Sequence, residues 1–181
     1  MRELALHVLD LIENAIRAGA TVIAVAVEED PGQDQLLIAV EDNGPGLGVS
    51  AERAVDPFYT TKEAKSIGLG LSLMKFRAEQ AGGSFRLETS ALGGLAARAA
   101  MPLSAVDRSP LGDLAATLAS IVCTNPDVEL RTRLRVGSRE WRVSTAEIER
   151  SMPAGFRSEI TMARLMRERI TEGLSALQVK E

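Results

Sequence analysis

The order of hydrophobic periods constrains this chain more than any other feature. Residues 2–18 set Leu4, Val8, Leu11, Ile12, Ala15 and Ile16 at helical spacing, and Gly19 ends the run. Two strand-like runs follow, 21–28 (TVIAVAVE) and 36–41 (LLIAVE), divided by the turn residues around 30–33. An irregular loop, 42–46 (DNGPG), precedes a second helical pattern from Gly68 to about Ala81. Two more strands are predicted over 84–89 and 95–101, turned at Gly93-Gly94. The strands therefore come in adjacent pairs. That order predicts an α/β fold built as a two-layer sandwich, an antiparallel or mixed sheet with helices on one face, rather than a doubly wound parallel sheet.

The stretch 102–110 (PLSAVDRSP) has two prolines among small and polar residues, which places a boundary there. Residues 1–104 form one unit. Residues 105–181 form a small α+β annex, read as helix, hairpin, helix: a helix over 110–122, strands over 128–136 and 140–144, and a helix over 159–174. In 128–136 (VELRTRLRV) the alternation puts Val128, Leu130, Leu134 and Val136 on one face and Glu129, Arg131, Arg133 and Arg135 on the other. The arginine stripe, with Arg142 on the next strand, suits an acidic partner or RNA. The competing reading is a solvated face balanced by Glu129 and Glu140, and the annex's near-neutral charge favours it. Cys123 follows an apolar helix and is expected to be buried and inert.

Composition removes several function classes. Lys and Arg number 21 against 25 Asp and Glu, a net charge of −4, which argues against general nucleic-acid binding. Aromatics make up only 3%, too few for a base-stacking platform. One cysteine and one histidine exclude a disulfide framework and a His-rich metal site. No apolar run reaches bilayer length, and the first residues lack a signal-peptide layout, so a cytoplasmic protein is expected, with no membrane partner.

Three blocks carry chemistry. In the first helix His7, Asp10, Asn14 and Arg17 lie three or four residues apart and share a face. A carboxylate, an amide and a guanidinium on one stripe suit a magnesium-bound phosphate chain, the amide oxygen ligating the cation and the carboxylate orienting a water. The competing reading is a solvated polar face. In the second block Asp42, at a strand end before Gly44 and Gly46, can accept from an exocyclic amine such as that of adenine, or can serve as an ordinary turn residue. In the third, 56–62 (DPFYTTK) precedes 68–72 (GLGLS); glycines opening a helix aim free amides at an anion, and Lys62 and Lys65 add charge. A lone GxG is weak evidence, and a helix N-cap explains it equally well. There is no GxxxxGK[ST] loop, and Gly68-Leu-Gly70 lacks the third glycine of a dinucleotide fingerprint.

Taken in order, these blocks resemble the nucleotide-binding domain shared by gyrase, the large heat-shock chaperone, sensor histidine kinases and the mismatch-repair ATPase. LIENAIRAGAT resembles the Asn-bearing helix box, DNGPG the adenine-contact box, and DPFYTTK with GLGLSL the phenylalanine and second glycine boxes of sensor kinases. The likeness covers about residues 1–103. It implies a Bergerat-type sandwich binding ATP and Mg2+. It further implies that Asn14 ligates the metal, Arg17 reaches phosphate and Asp42 contacts the adenine amine. Gly44 and Gly46 would shape the adenine pocket, Phe58 and Lys62 would belong to a lid, and Gly68, Leu69, Gly70 and Leu71 would shape the phosphate end.

Four departures stand out. Hydrolytic members place Glu where this chain has Asp10, leaving Asp10 as a shorter candidate general base. Leu95 stands where a Thr usually supports adenine through water, and Ala81 where a His usually precedes the glycine pair. No phosphoacceptor hairpin is expected ahead of the domain, since the chain opens almost at the Asn-bearing helix. The resemblance therefore implies a stand-alone regulatory protein kinase or slow ATPase, or alternatively a nucleotide-gated adaptor or assembly factor. The annex resembles that of small ATP-binding proteins associated with iron-hydrogenase or electron-transfer subunits. A protein partner is expected, with a homodimer as one form of it. His7, one turn before Asp10, is either a proton shuttle or phosphate acceptor, or a packed helix histidine.

Overall fold

A computed structural model describes residues 3–56, 67–153 and 157–179. In chain order these form α1 (Leu4–Arg17), β1 (Val22–Asp30), β2 (Gln35–Asp42), α2 (Ala51–Ala54), α3 (Ile67–Gln80), β3 (Ser84–Thr89) and β4 (Leu95–Pro102). There follow α4 (Leu114–Thr124), β5 (Glu129–Val136), β6 (Arg139–Ser144), α5 (Thr145–Ser151) and α6 (Glu159–Leu177). The described strands make one sheet in the order β3-β4-β2-β1-β5-β6. Every neighbouring pair is antiparallel except β1 with β5. The mixed sheet expected from the paired strands is therefore present.

Alternation fixes which side of the sheet is covered. Ile23, Val25 and Val27 of β1 and Leu36, Ile38 and Val40 of β2 are buried in one apolar cluster with Leu4, Val8 and Ile12 of α1 and Met74 and Ala78 of α3. The intervening residues, Ala24, Ala26 and Glu28, face the other side. Leu118 of α4, Met166 and Ile170 of α6 and Leu130 and Leu134 of β5 belong to the same cluster. The core runs without a break from the first helix to the last.

Residues 105–181 thus contain the elements expected of an annex, but their strands build no sheet of their own. β5 lies parallel to β1 with Ala26 opposite Arg133, and β6 extends the edge. The proline-bearing stretch also ties the two parts together. The backbone amides of Leu4 and Ala5 donate to the carbonyls of Pro110 and Leu111, both at 2.9 Å. These are the amides that the start of a helix leaves without an internal partner. At the far edge Trp141 packs on α6 where Gly173 leaves room; a methyl there would lie 2.5 Å from Trp141 Cδ1.

Two corrections are local. Cys123 is exposed at the last turn of α4, on the side away from Ile121 and Val122, so it is not a core residue. Pro110 lies outside α4, which starts at Leu114 behind the N-cap Asp113, whose carboxylate accepts from the Ala116 amide at 2.8 Å.

Candidate functional site

α1 carries the first part of the site. Asp10 and Asn14 are half-buried on the side facing α3, and Arg17 is exposed at the helix end. Arg17 Nη2 donates to Asn14 Oδ1. Asn14 Nδ2 is buried and has no hydrogen-bond partner among the described residues. A buried amide without a partner costs about 1–3 kcal/mol unless something else supplies an acceptor, which makes Asn14 a candidate ligand contact. His7 is buried under α1, 1% exposed, in the manner of a packed helix histidine. Closed off in this way, it is not open to an incoming phosphoryl group.

Close helix packing sets the geometry beside Asn14. At Gly70, the fourth residue of α3, a Cβ would sit 3.0 Å from Asp10 Cβ and 3.1 Å from Asn14 Nδ2. The absent side chain therefore lets α3 lie directly on the Asp10–Asn14 stripe. Gly68 falls in the first turn of the same helix, as does Leu69. Leu71 turns into the core, 3% exposed. Phe58, Lys62 and Lys65 lie outside the described residues.

The second part of the site is the end of β2. Asp42 Oδ1 accepts from the amides of Gly44, at 2.8 Å, and Leu95, at 3.2 Å. The Gly94 amide donates to the Asp42 carbonyl at 3.0 Å. One carboxylate oxygen thus pins two loops, and Oδ2 has no hydrogen bond among the described residues. Gly94 is essential to this arrangement, because a Cβ there would lie 2.2 Å from Asp42 Oδ1 and 2.6 Å from the Gly44 amide nitrogen. Gly46 adopts φ +74°, which only glycine takes without strain. Leu95, whose amide meets Asp42, offers no side-chain hydroxyl to a base bound there.

Sequence reasoning missed Asn43. Its Oδ1 accepts from the Thr21 and Val22 amides, both at 2.9 Å, and its Nδ2 donates to Thr21 Oγ1 at 3.0 Å. This fastens the 42–46 loop to the start of β1. Thr21 in turn accepts the Glu129 amide through its carbonyl at 2.8 Å, so the loop is bonded through two residues to β5. An Asn inside DNGPG gave no signal of this, because its partners lie more than 20 positions upstream.

The arginine stripe is internally neutralised, as the second reading expected, though by one more residue than expected. Arg131 bonds Glu129, and Arg142 bonds Glu140. Arg133 and Arg135 both reach Glu28, which comes from β1 and is buried between them. The hydrogen bond from Arg131 holds the Glu129 carboxyl below its ordinary value, and burial opposes this. The bond from Arg142 lowers Glu140 in the same way.

The donor set fits nucleotide chemistry. An acceptor-only carboxylate selects a ligand edge that donates, such as an exocyclic amine. No group of three or more His, Cys, Asp or Glu among the described residues could cage a metal. Mg2+ here would rest on Asn14, phosphate oxygens and water, which is how this ion is ordinarily held at phosphate sites. No helix among the described residues is long and apolar enough to cross a membrane.

A family model, Histidine kinase-, DNA gyrase B-, and HSP90-like ATPase, matches residues 2–105, more than half of the chain. Among curated proteins, the chain is 35% identical over 83 residues to the sensor histidine kinase ZraS of Salmonella typhimurium, covering 45% of this chain and 18% of that one. It is 32% identical over 102 residues to the sensor protein kinase CarS of Pseudomonas aeruginosa, 55% of this chain and 22% of that one. It is 37% identical over 90 residues to the sensor protein ChvG of Agrobacterium fabrum, 45% and 15%. The matches thus cover only about a fifth, or less, of the length of these relatives.

Proposed function

Because the chain belongs to the histidine kinase-, DNA gyrase B- and HSP90-like ATPase family, we propose that it binds magnesium–ATP between α1 and the 42–46 loop and uses it as a regulatory protein kinase or slow ATPase. The observation that carries this reading is a pair of unmet polar groups, the buried Asn14 Nδ2 and the Oδ2 of Asp42, for which no partner is found among the described residues. Asp42 takes the base amine, since its other oxygen is already committed to Gly44 and Leu95. A guanine would present an oxygen at that edge and be repelled. Asn14 and Arg17 meet the phosphate end, and Arg17 exchanges its bond to Asn14 for one to phosphate. Magnesium, when bound, offsets phosphate charge. Asp10, half-buried one turn before Asn14, is the residue placed to orient a water or a hydroxyl. Titration calorimetry with Mg-ATP and Mg-GTP, on wild type, Asp42→Asn and Asn14→Ala, tests the site. Normal Mg-ATP affinity in both variants would overturn it.

A second reading is a nucleotide-gated adaptor, and one observation favours it. Glu41 and Asp42 are consecutive in β2 and so point to opposite faces of the sheet. Asp42 faces the nucleotide, while Glu41 faces the uncovered side, bonded to Arg98 and to Ser90 Oγ. A ligand on one face therefore acts one residue away from the other. ATP that binds without turnover, yet alters proteolytic cleavage of the chain, favours the adaptor; phosphate release abolished by Asp10→Ala favours the enzyme.

A further inference from the structure

The side of the sheet away from the helices has a floor of small residues. Ala26 of β1 pairs with Ala39 of β2, and Ala24 pairs with Glu41, which itself pairs with Ala96 of β4. On one flank rise the arginines of β5 and β6; on the other, Leu92 stands at the β3–β4 turn. The result is a groove of about 660 Å³. Strands lie about 4.8 Å apart, so a floor two strands wide matches the roughly 10–12 Å diameter of an α-helix. On this face Ala24 and Ala26 are half-buried and can receive such a helix, while Ala39 and Ala96 are already buried, 2% and 0% exposed.

The charge of the flank is layered. The side chains of Arg131, Arg133, Arg135 and Arg142 are 36–66% exposed, whereas their partners Glu28, Glu129 and Glu140 are 8–32% exposed. The carboxylates lie beneath and the guanidinium groups outermost. Each guanidinium has five N–H donors and spends only some of them on its glutamate. Arg150, bonded to the Ala146 carbonyl, lines the same groove and makes no ion pair among the described residues. A partner approaching along β5 and β6 meets donors first, although the exposed Glu147 also lines the groove and the stripe is neutral in sum.

We propose that this alanine-floored groove docks an acidic amphipathic helix of a partner protein, its apolar stripe on Ala24 and Ala26 and its carboxylates on Arg131, Arg142 and Arg150. The groove rests on its own residues and not on the nucleotide reading. RNA fits it less well, since no aromatic side chain among the described residues lines the groove for a base to stack on.

The probe is a displayed library of random 16-residue peptides, panned on the full chain and counter-selected on the double variant Arg131→Glu, Arg142→Glu. The expected winners carry apolar residues at i, i+3/i+4 and i+7 flanked by Asp and Glu. A fluorescent synthetic winner should lose at least about tenfold in affinity, near 1.4 kcal/mol, on the double variant and on Ala26→Trp. Both variants should keep a cooperative thermal transition and wild-type Mg-ATP affinity. Should Ala26→Trp misfold, the double variant, altered only at exposed positions, decides. No enrichment, basic winners, or equal affinity for the double variant would overturn the proposal. So would a uridine 12-mer bound through the arginines, which assigns the face to RNA, or a dimer in sedimentation that Ala26→Trp dissolves, which assigns it to a second copy.

Discussion

Two adjacent glycines separate two physical effects and test the Asp42 site directly. Gly93 sits at φ +105° with nothing within 4 Å of where a Cβ would stand, so Gly93→Ala strains only the backbone. Gly94 has no positive φ, so alanine suits its backbone, and the whole cost is collision: 2.2 Å to Asp42 Oδ1 and 2.7 Å to the Asp42 carbonyl oxygen. Relief requires Asp42 to leave the Gly44 and Leu95 amides and the Gly94 amide to lose its carbonyl. Bonds to charged groups contribute about 1.5–3 kcal/mol each. Losing two in part places the destabilisation of Gly94→Ala near 3 kcal/mol. At roughly 2–4 °C per kcal/mol for a chain of this size, Tm falls by about 6–12 °C. Gly93→Ala should cost about 1–2 kcal/mol. Nucleotide binding separates them further. Gly94→Ala displaces the carboxylate proposed to meet the base, so Mg-ATP affinity should drop about 100-fold, near 2.7 kcal/mol, while Gly93→Ala should stay within about threefold of wild type. Differential scanning fluorimetry and titration calorimetry measure both quantities. Equal Mg-ATP affinity in the two variants would refute the placement of Asp42 at the base.

Further outcomes follow from the same geometry. Asp10→Glu lengthens the candidate base by one methylene; phosphate release should rise while Mg-ATP affinity stays unchanged, and a fall in rate would show that the shorter residue is the fitted one. Asn43→Ala removes acceptance from two amides and leaves the Thr21–Val22 start of β1 unclamped; urea unfolding should show a loss of about 1–3 kcal/mol, with weaker nucleotide binding alongside it. Glu129→Gln tests the stripe through pH. The folded carboxyl is depressed by Arg131, so its contribution is present above the ordinary carboxylate range and is lost as pH falls through the folded value. The pair is largely solvent-screened, so wild type and variant should differ by under about 1 kcal/mol at pH 7 and converge in acid. A constant difference from pH 7 to pH 3 would contradict the pairing.

What the residues disclosed and what they withheld has a physical division. Periods of 3.6 and 2 report which face of an element is buried, so α1, α3 and the strands β1 to β6 could be read to within a few residues. The same periods carry no information on which strand is a neighbour. Nothing in VELRTRLRV says that it lies parallel to β1, and so nothing said that Glu28 would bind Arg133 and Arg135. The short helices α2 and α5 span about two turns or fewer, too short for a period to register. In the candidate site, the shared helix of Asp10, Asn14 and Arg17 was legible because one period spaces them. Gly94 against Asp42 and Asn43 against Thr21 were not, because those contacts join residues 52 and 22 positions apart by side-chain and backbone fit alone.

The carbonyls of Pro110 and Leu111 that receive the first amides of α1 bear on anyone wishing to transplant the part matched by the family model. A fragment cut at position 104 would keep every motif residue, yet its leading helix would fray at the mouth and β1, stripped of β5, would become a bare, sticky rim. A portable piece should therefore carry β5, β6 and the 110–111 carbonyls with it, and a shortened version should be judged first on whether it stays monodisperse.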